Sequence, residues 1–200
     1  MKSRLAGVPV TALLALALLL AACGGQPGGV TATHASGSWT SFRSSPTYHF
    51  TIGYDPRLFH SASTLDSGQA PAGGIPVLDW VVWPASQGAE QPDTPEASVT
   101  LAAGNWRQLG QLTPASWIAL QVTSSRFNVS HGARGRFGRA VVGGVPGYRA
   151  RYVTGEGFWC VDEFCVRGQN DYLLQAYCRR DLVPRLHAAL RAILDSFQVM

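Results

Sequence analysis

The residues best placed to do chemistry are Cys160, Cys165 and Cys178, with acids beside them. Cys160 and Cys165 bracket Val161-Asp162-Glu163-Phe164. If Asp162-Glu163 makes a two-residue turn, the two thiols face each other across a non-hydrogen-bonded pair, where side chains approach closely. Asp-Glu is a poor primed-turn sequence, so a second arrangement stays open. A hairpin turning at Gly168 to Asn170 would set Cys160 opposite Cys178. The reading favours a Cys160–Cys165 disulfide, with Cys160–Cys178 as the alternative and a structural staple as its role. Three thiolates with His187 could hold zinc, but the spacing matches no standard zinc pattern. Asp162, Glu163 and Asp171 lack a calcium-liganding loop and read as a solvated acidic turn. No metal and no cofactor is expected.

Arginine is the other chemical signal. No acidic residue stands between Glu96 and Glu156, yet Arg107, Arg126, Arg134, Arg136, Arg139, Arg149 and Arg151 all do. If the stretch from Arg134 to Arg151 forms neighbouring strands, Arg134, Arg136, Arg139, Arg149 and Arg151 share an edge or a face. Such a patch suits an acidic partner, an anionic lipid or a wall polymer; the plainer alternative is arginine solvating a loop-rich surface. Arg149 and Arg151, at i and i+2, share a strand face. Catalytic signatures are missing: no Gly-x-Ser-x-Gly, no phosphate loop with its lysine, and His34, His49, His60, His131 and His187 in no paired spacing.

The address comes from the other end of the chain. Lys2 and Arg4 precede an uncharged run from Leu5 to Ala22. A positive start, a short apolar core and small residues before the break describe a secretory signal, and Gly7 and Pro9 shorten the run below the ~20 residues of a spanning helix. Leu20-Ala21-Ala22-Cys23 resembles the lipobox of bacterial lipoproteins. That resemblance implies that residues 1–22 are removed and that the Cys23 thiol receives a diacylglycerol. Two or three acyl chains, at ~0.8 kcal/mol per buried CH₂, anchor stably where one does not. Lys2 is the only lysine, and the formal +4 of the whole chain falls when Lys2 and Arg4 leave. An exported chain without a mixed Lys/Arg surface is not expected to bind nucleic acid.

The elements that must position these residues follow from periodicity. Residues 23–46 are rich in Gly, Ser and Thr and read as a flexible tether with a reach of ~25 Å; Trp39 and Phe42 are expected to pack on the domain's edge. Thr47 to Tyr54 alternates as a strand, Ser61 to Gly74 is a loop, and Val77 to Trp83 and Ser98 to Ala103 are central strands. Thr113-Pro114 starts a helix reaching about Ser125. Arg136 to Val142, Tyr148 to Thr154, Phe158 to Arg167 and Asp171 to Cys178 are extended. Asp181 caps a final helix in which Leu186, Leu190, Ile193 and Phe197 form one apolar stripe.

Tyr48-His49-Phe50-Thr51-Ile52-Gly53-Tyr54-Asp55-Pro56 at the front and Ile193-Leu194-Asp195-Ser196-Phe197 at the end resemble the PsbP-like domain. Gly147-Tyr148-Arg149-Ala150-Arg151-Tyr152 and Asp171-Tyr172-Leu173-Leu174 fit that family's later hairpin. The resemblance spans Thr47 to Val199 and implies an α+β fold, an antiparallel β-sheet sandwiched between helices, over residues 47–200. It also implies a binding or assembly role at a membrane and supplies no catalytic residues. Asp55 before the proline and the three cysteines depart from the pattern. The expectation is a lipid-anchored extracytoplasmic binding or assembly module, non-enzymatic. The competing readings are a small hydrolase whose residues meet only in space, and a lipid or glycolipid carrier.

Overall fold

A computed structural model describes residues 33–34, 39–64, 78–105 and 113–200. The lipobox, Cys23 and the signal segment lie outside them. In chain order the elements are β1 (Thr33–His34), β2 (Thr40–Arg43), β3 (Phe50–Tyr54), β4 (Phe59–Thr64), β5 (Leu78–Pro84), β6 (Ala97–Asn105), α1 (Pro114–His131), β7 (Ala133–Val142), β8 (Val145–Val153), β9 (Trp159–Arg167), β10 (Asn170–Cys178), α2 (Val183–Ser196) and β11 (Gln198–Val199). The fold is α+β. A large antiparallel sheet runs β4-β5-β6-β10-β9-β8-β7, and a small one runs β1-β2-β3-β11.

Period-two alternation decides what each face of the large sheet buries. Trp80, Val82, Val99, Leu101, Val161, Cys165, Tyr172, Leu174 and Cys178 point to one face. There they meet α2 through Leu190, Ile193 and Leu194, and the small sheet through Phe42, Phe50 and Ile52. Phe50, Tyr172 and Phe197 pack ring against ring, with centroids 5.6–6.1 Å apart. The opposite face takes α1, seated over β7, β8 and β9. The sheet is therefore held between the two helices, as expected.

α1 begins as its sequence requires. The Thr113 hydroxyl accepts from the Ser116 backbone N–H at 3.2 Å, and Ser116 Oγ accepts from the Thr113 N–H at 2.8 Å, a reciprocal cap. It runs past Ser125 to His131, and only Trp117 and Ser125 are buried along it. A helix with so little apolar face docks through aromatics. Trp117 meets Phe164 edge-on, Phe164 stacks on Tyr148, and Tyr148 on Phe137, which carries the Arg126 guanidinium at 5.5 Å.

Several expectations need correction. Thr40–Arg43 lies in the stretch read as tether but is strand β2, with Phe42 in the core and Trp39 against it. Composition hid this, because a strand flanked by Gly and Ser carries few apolar residues. Ser61–Thr64, the start of the stretch read as loop, belongs instead to strand β4 (Phe59–Thr64). Asp181 does not cap α2; its carboxylate holds Arg179, and Leu182 is the cap residue without a side-chain bond. β7 and β8 close through Gly143-Gly144, with φ of 58° and 83°. Both turn residues thus occupy the left-handed region that a two-residue primed turn demands.

Candidate functional site

The thiols form no site. Cys160 and Cys165 lie in one strand, β9. Five residues apart, they point to opposite faces, with Cα atoms roughly 16 Å apart at the rise of a strand, whereas a disulfide needs less than ~7 Å. The hairpin does turn at Gly168, but the register sets Cys178 opposite Trp159 and Cys160 opposite Tyr177. That one-residue offset puts Cys160 and Cys178 on opposite faces. Both proposed disulfides fail for this reason, and all three cysteines are free and buried. Burial pushes the Cys160 and Cys165 thiols up to about 12 and Cys178 up to about 11, so they behave as small apolar side chains. Spread over both faces, they cannot join His187 around zinc, and no metal-holding cluster of His, Cys, Asp or Glu occurs among the described residues.

The acids are not a solvated turn either. Asp162, Glu163 and Asp171 are all buried. Asp162 faces α1 and accepts from Gln175 Nε2 at 3.2 Å. Burial raises its pKa, while hydrogen bonds from Gln175, Tyr152 and Asn128 oppose the rise. Asp171 lies beside Gly104, where an added Cβ would stand 3.2 Å from the carboxylate. Its Oδ1 is without a hydrogen-bond partner among the described residues.

The arginines do converge, in part. β7 and β8 are paired, and the register sets Arg136 directly opposite Arg151. Arg149 shares their face and lies opposite Glu163 of β9, whose Oε1 accepts from Arg149 Nε. Four residues of helix rise about 6 Å and two residues of strand about 6.6 Å, so steps of four along α2 keep pace with steps of two along β8. Asp195 stands 3.9 Å from Arg149 Nη2. One turn earlier is Arg191, whose charge is felt at Arg151. One turn earlier again is His187, its ring 4.6 Å from that of Trp159. Arg139 lies on the other face of the sheet with Tyr148. Arg134 sits at the irregularity between Ala133 and Arg136, with a φ of 57°.

The electrostatics follow from this layout. Burial lifts the Glu163 pKa, and the Arg149 guanidinium works against the lift. Burial lowers Arg151, and the positive charges of Arg191 and Arg149 lower it further. Burial, then Arg191 and Arg151, hold His187 below its ordinary value, which favours its neutral form. Beside Arg149 opens a cleft of about 230 Å³, lined by Val141, Gly143, Gly144, Glu163, Asp195 and Gln198 among others. A second open cleft of about 520 Å³ lies at Thr47, His49, Arg167, Asn170 and Met200.

The solution structure of cyanobacterial PsbP (CyanoP) from Synechocystis sp. PCC 6803 aligns over 90% of this chain and 99% of that one, at 11% identity and a TM-score of 0.48. The crystal structure of LpqN, described as involved in cell envelope biogenesis of Mycobacterium tuberculosis, aligns over 85% of this chain and 90% of that one, at 13% identity and a TM-score of 0.39. Neither likeness is close enough to transfer a function. No family model matches the chain, and no curated sequence does.

The sequence reading found Arg136, Arg149 and Arg151 but missed Arg191, Glu163 and Asp195 as members of the same cluster. Arg191 lies off the apolar stripe of α2, which made it look merely solvated. The available signal was the i, i+4 spacing of His187, Arg191 and Asp195 on the final helix.

Proposed function

We propose that the chain is a lipid-anchored module at the extracytoplasmic face of a membrane, which binds an anionic ligand or surface through the arginines of β7, β8 and α2 without catalysing a reaction. The observation that carries the binding half is a charge imbalance. Arg136, Arg149, Arg151 and Arg191 gather on one face with only Glu163 and Asp195 against them. The structure holds Arg149 to both acids; Arg136, Arg151 and Arg191 have no acid in ion-pair contact among the described residues. The anchor half rests on Leu20-Ala21-Ala22-Cys23. No described helix is long and apolar enough to cross a membrane; acyl chains on Cys23 would supply the attachment.

A non-enzymatic role is supported by the company the histidines keep. His60 packs on Trp83 and His187 on Trp159, while His131 bonds within its own helix. The test is metabolic labelling with a clickable palmitate analogue. The wild-type chain is expected to take the label and to follow the detergent phase, and Cys23→Ser to lose the label. A wild-type chain recovered unlabelled, with its leader still attached, refutes the anchor.

A further inference from the structure

The arginine face is not uniform, and its differences define a ligand. Arg149 donates to Glu163 and approaches Asp195, so its charge is already met. Arg136 of the edge strand β7 lies directly opposite Arg151 of β8 in the register, and Arg191 of α2 acts on Arg151 through its charge. Like charges directly opposite on paired strands are destabilising on their own. Arg136 and Arg151 are such a pair, and α2 adds the cation Arg191 beside Arg151 while its one acid there, Asp195, lies against Arg149. Among the groups facing Arg151, β7 supplies Arg136, β8 Arg149, β9 Glu163, and α2 His187, Arg191 and Asp195. With His187 neutral, four guanidinium charges face two carboxylates, a surplus of two.

We propose that Arg136, Arg151 and Arg191 form a receptor for a phosphate group, with Arg149 kept out of it by Glu163 and Asp195. This deepens the reading above, and rests on it for the binding face. The chemistry favours phosphate over carboxylate on two counts. A phosphate monoester carries about −1.5 to −2 at neutral pH, which matches the surplus. Its three free oxygens also accept from several planar forks at once, the geometry in which arginine outperforms lysine. Arg134 and Arg139 stand outside the receptor. Their place on an edge strand, with the irregularity at Ala133/Arg136, fits the usual blocking of a sheet edge against stray pairing.

The test uses the full chain in non-ionic detergent micelles, with inorganic phosphate as the probe and isotope-labelled arginine Nε–H signals as the readout. Arg136, Arg151 and Arg191 are expected to shift along one saturating curve, while Arg134, Arg139 and Arg149 stay in place. Arg151→Gln or Arg191→Gln should weaken phosphate about tenfold, the value of one charge-assisted contact. Asp195→Asn, at an exposed position, should tighten it by removing one of the two opposing negative charges while Arg149 stays on Glu163. Vesicles of phosphatidic acid, a phosphate monoester, in phosphatidylcholine separate the two sources of phosphate. If they move the same three signals and free phosphate competes, the ligand is a lipid headgroup; if they are silent while phosphate binds, it is a soluble phosphorylated compound. Even shifts over all arginines, or vesicle binding with no response to phosphate, overturn the receptor while leaving a diffuse anionic attraction standing. Loss of the palmitate label by the wild-type chain would strike the anchor alone.

Discussion

Asp171 shows what one misplaced charge does inside this protein. Its carboxylate is buried, its Oδ1 is unpartnered among the described residues, and burial pushes its pKa up to about 6. An unfolded aspartate titrates near ~3.9. Between those values the folded chain binds more protons than the unfolded one, so stability falls as pH rises through the window. Above it the full cost applies, on the order of 2–3 kcal/mol. Asp171→Asn is therefore expected to be more stable than wild type at pH 7 by about that amount, and level with it near pH 4. Urea unfolding at the two pH values measures this; a gap of equal size at both would show that titration is not the cause. The sequence could not reveal Asp171. It stood in an extended run, and nothing in residue order says that Gly104 across the pair would leave its Oδ1 room but no donor.

Elements were more legible than their partners. Alternation at Thr47 to Tyr54 gave β3, apolar stretches gave β5 and β6, and the extended runs around the cysteines gave β9 and β10, each to within a few residues. The cap at Thr113-Pro114 located the start of α1. What periodicity could not see was how α1 is held, since the contact is a ladder of rings spread over three strands. Trp117 is the single large apolar side chain that α1 buries. Trp117→Ala should cost about 3–5 kcal/mol and loosen that helix first. Hydrogen exchange would read this as lost protection in Pro114–His131 with β10 unaffected; uniform loss over both would mean that α1 is no separate unit. The two disulfide arrangements failed for a related reason. A turn at Asp162-Glu163 was plausible locally, but nine continuous residues of β9 satisfy their backbone better by pairing on both sides with β8 and β10.

At the scale of the molecule, the sheets and α2 share one core, and no covalent bridge among the described cysteines braces it. Alkylation without reductant should find Cys160, Cys165 and Cys178 unreactive in the native chain and all three reactive in denaturant. Reductant should leave the melting temperature unchanged. A bridged peptide pair, or a fall in melting temperature on reduction, would contradict the register of β9 and β10. The small sheet adds a constraint of order. β3 lies between β2 and β11, the Ser196 hydroxyl accepts from the Gly53 N–H at 2.8 Å, and the Met200 N–H reaches the His49 carbonyl at 2.7 Å. The front of the domain is thus finished by its last residues, and contacts so distant along the chain are slow to form. A nascent polypeptide emerging through a narrow exit would hold Phe50 and Ile52 uncovered until Val199 had cleared it. Closure of the small sheet is therefore tied to Gln198–Val199, and a chain halted short of them leaves β3 with one partner strand instead of two.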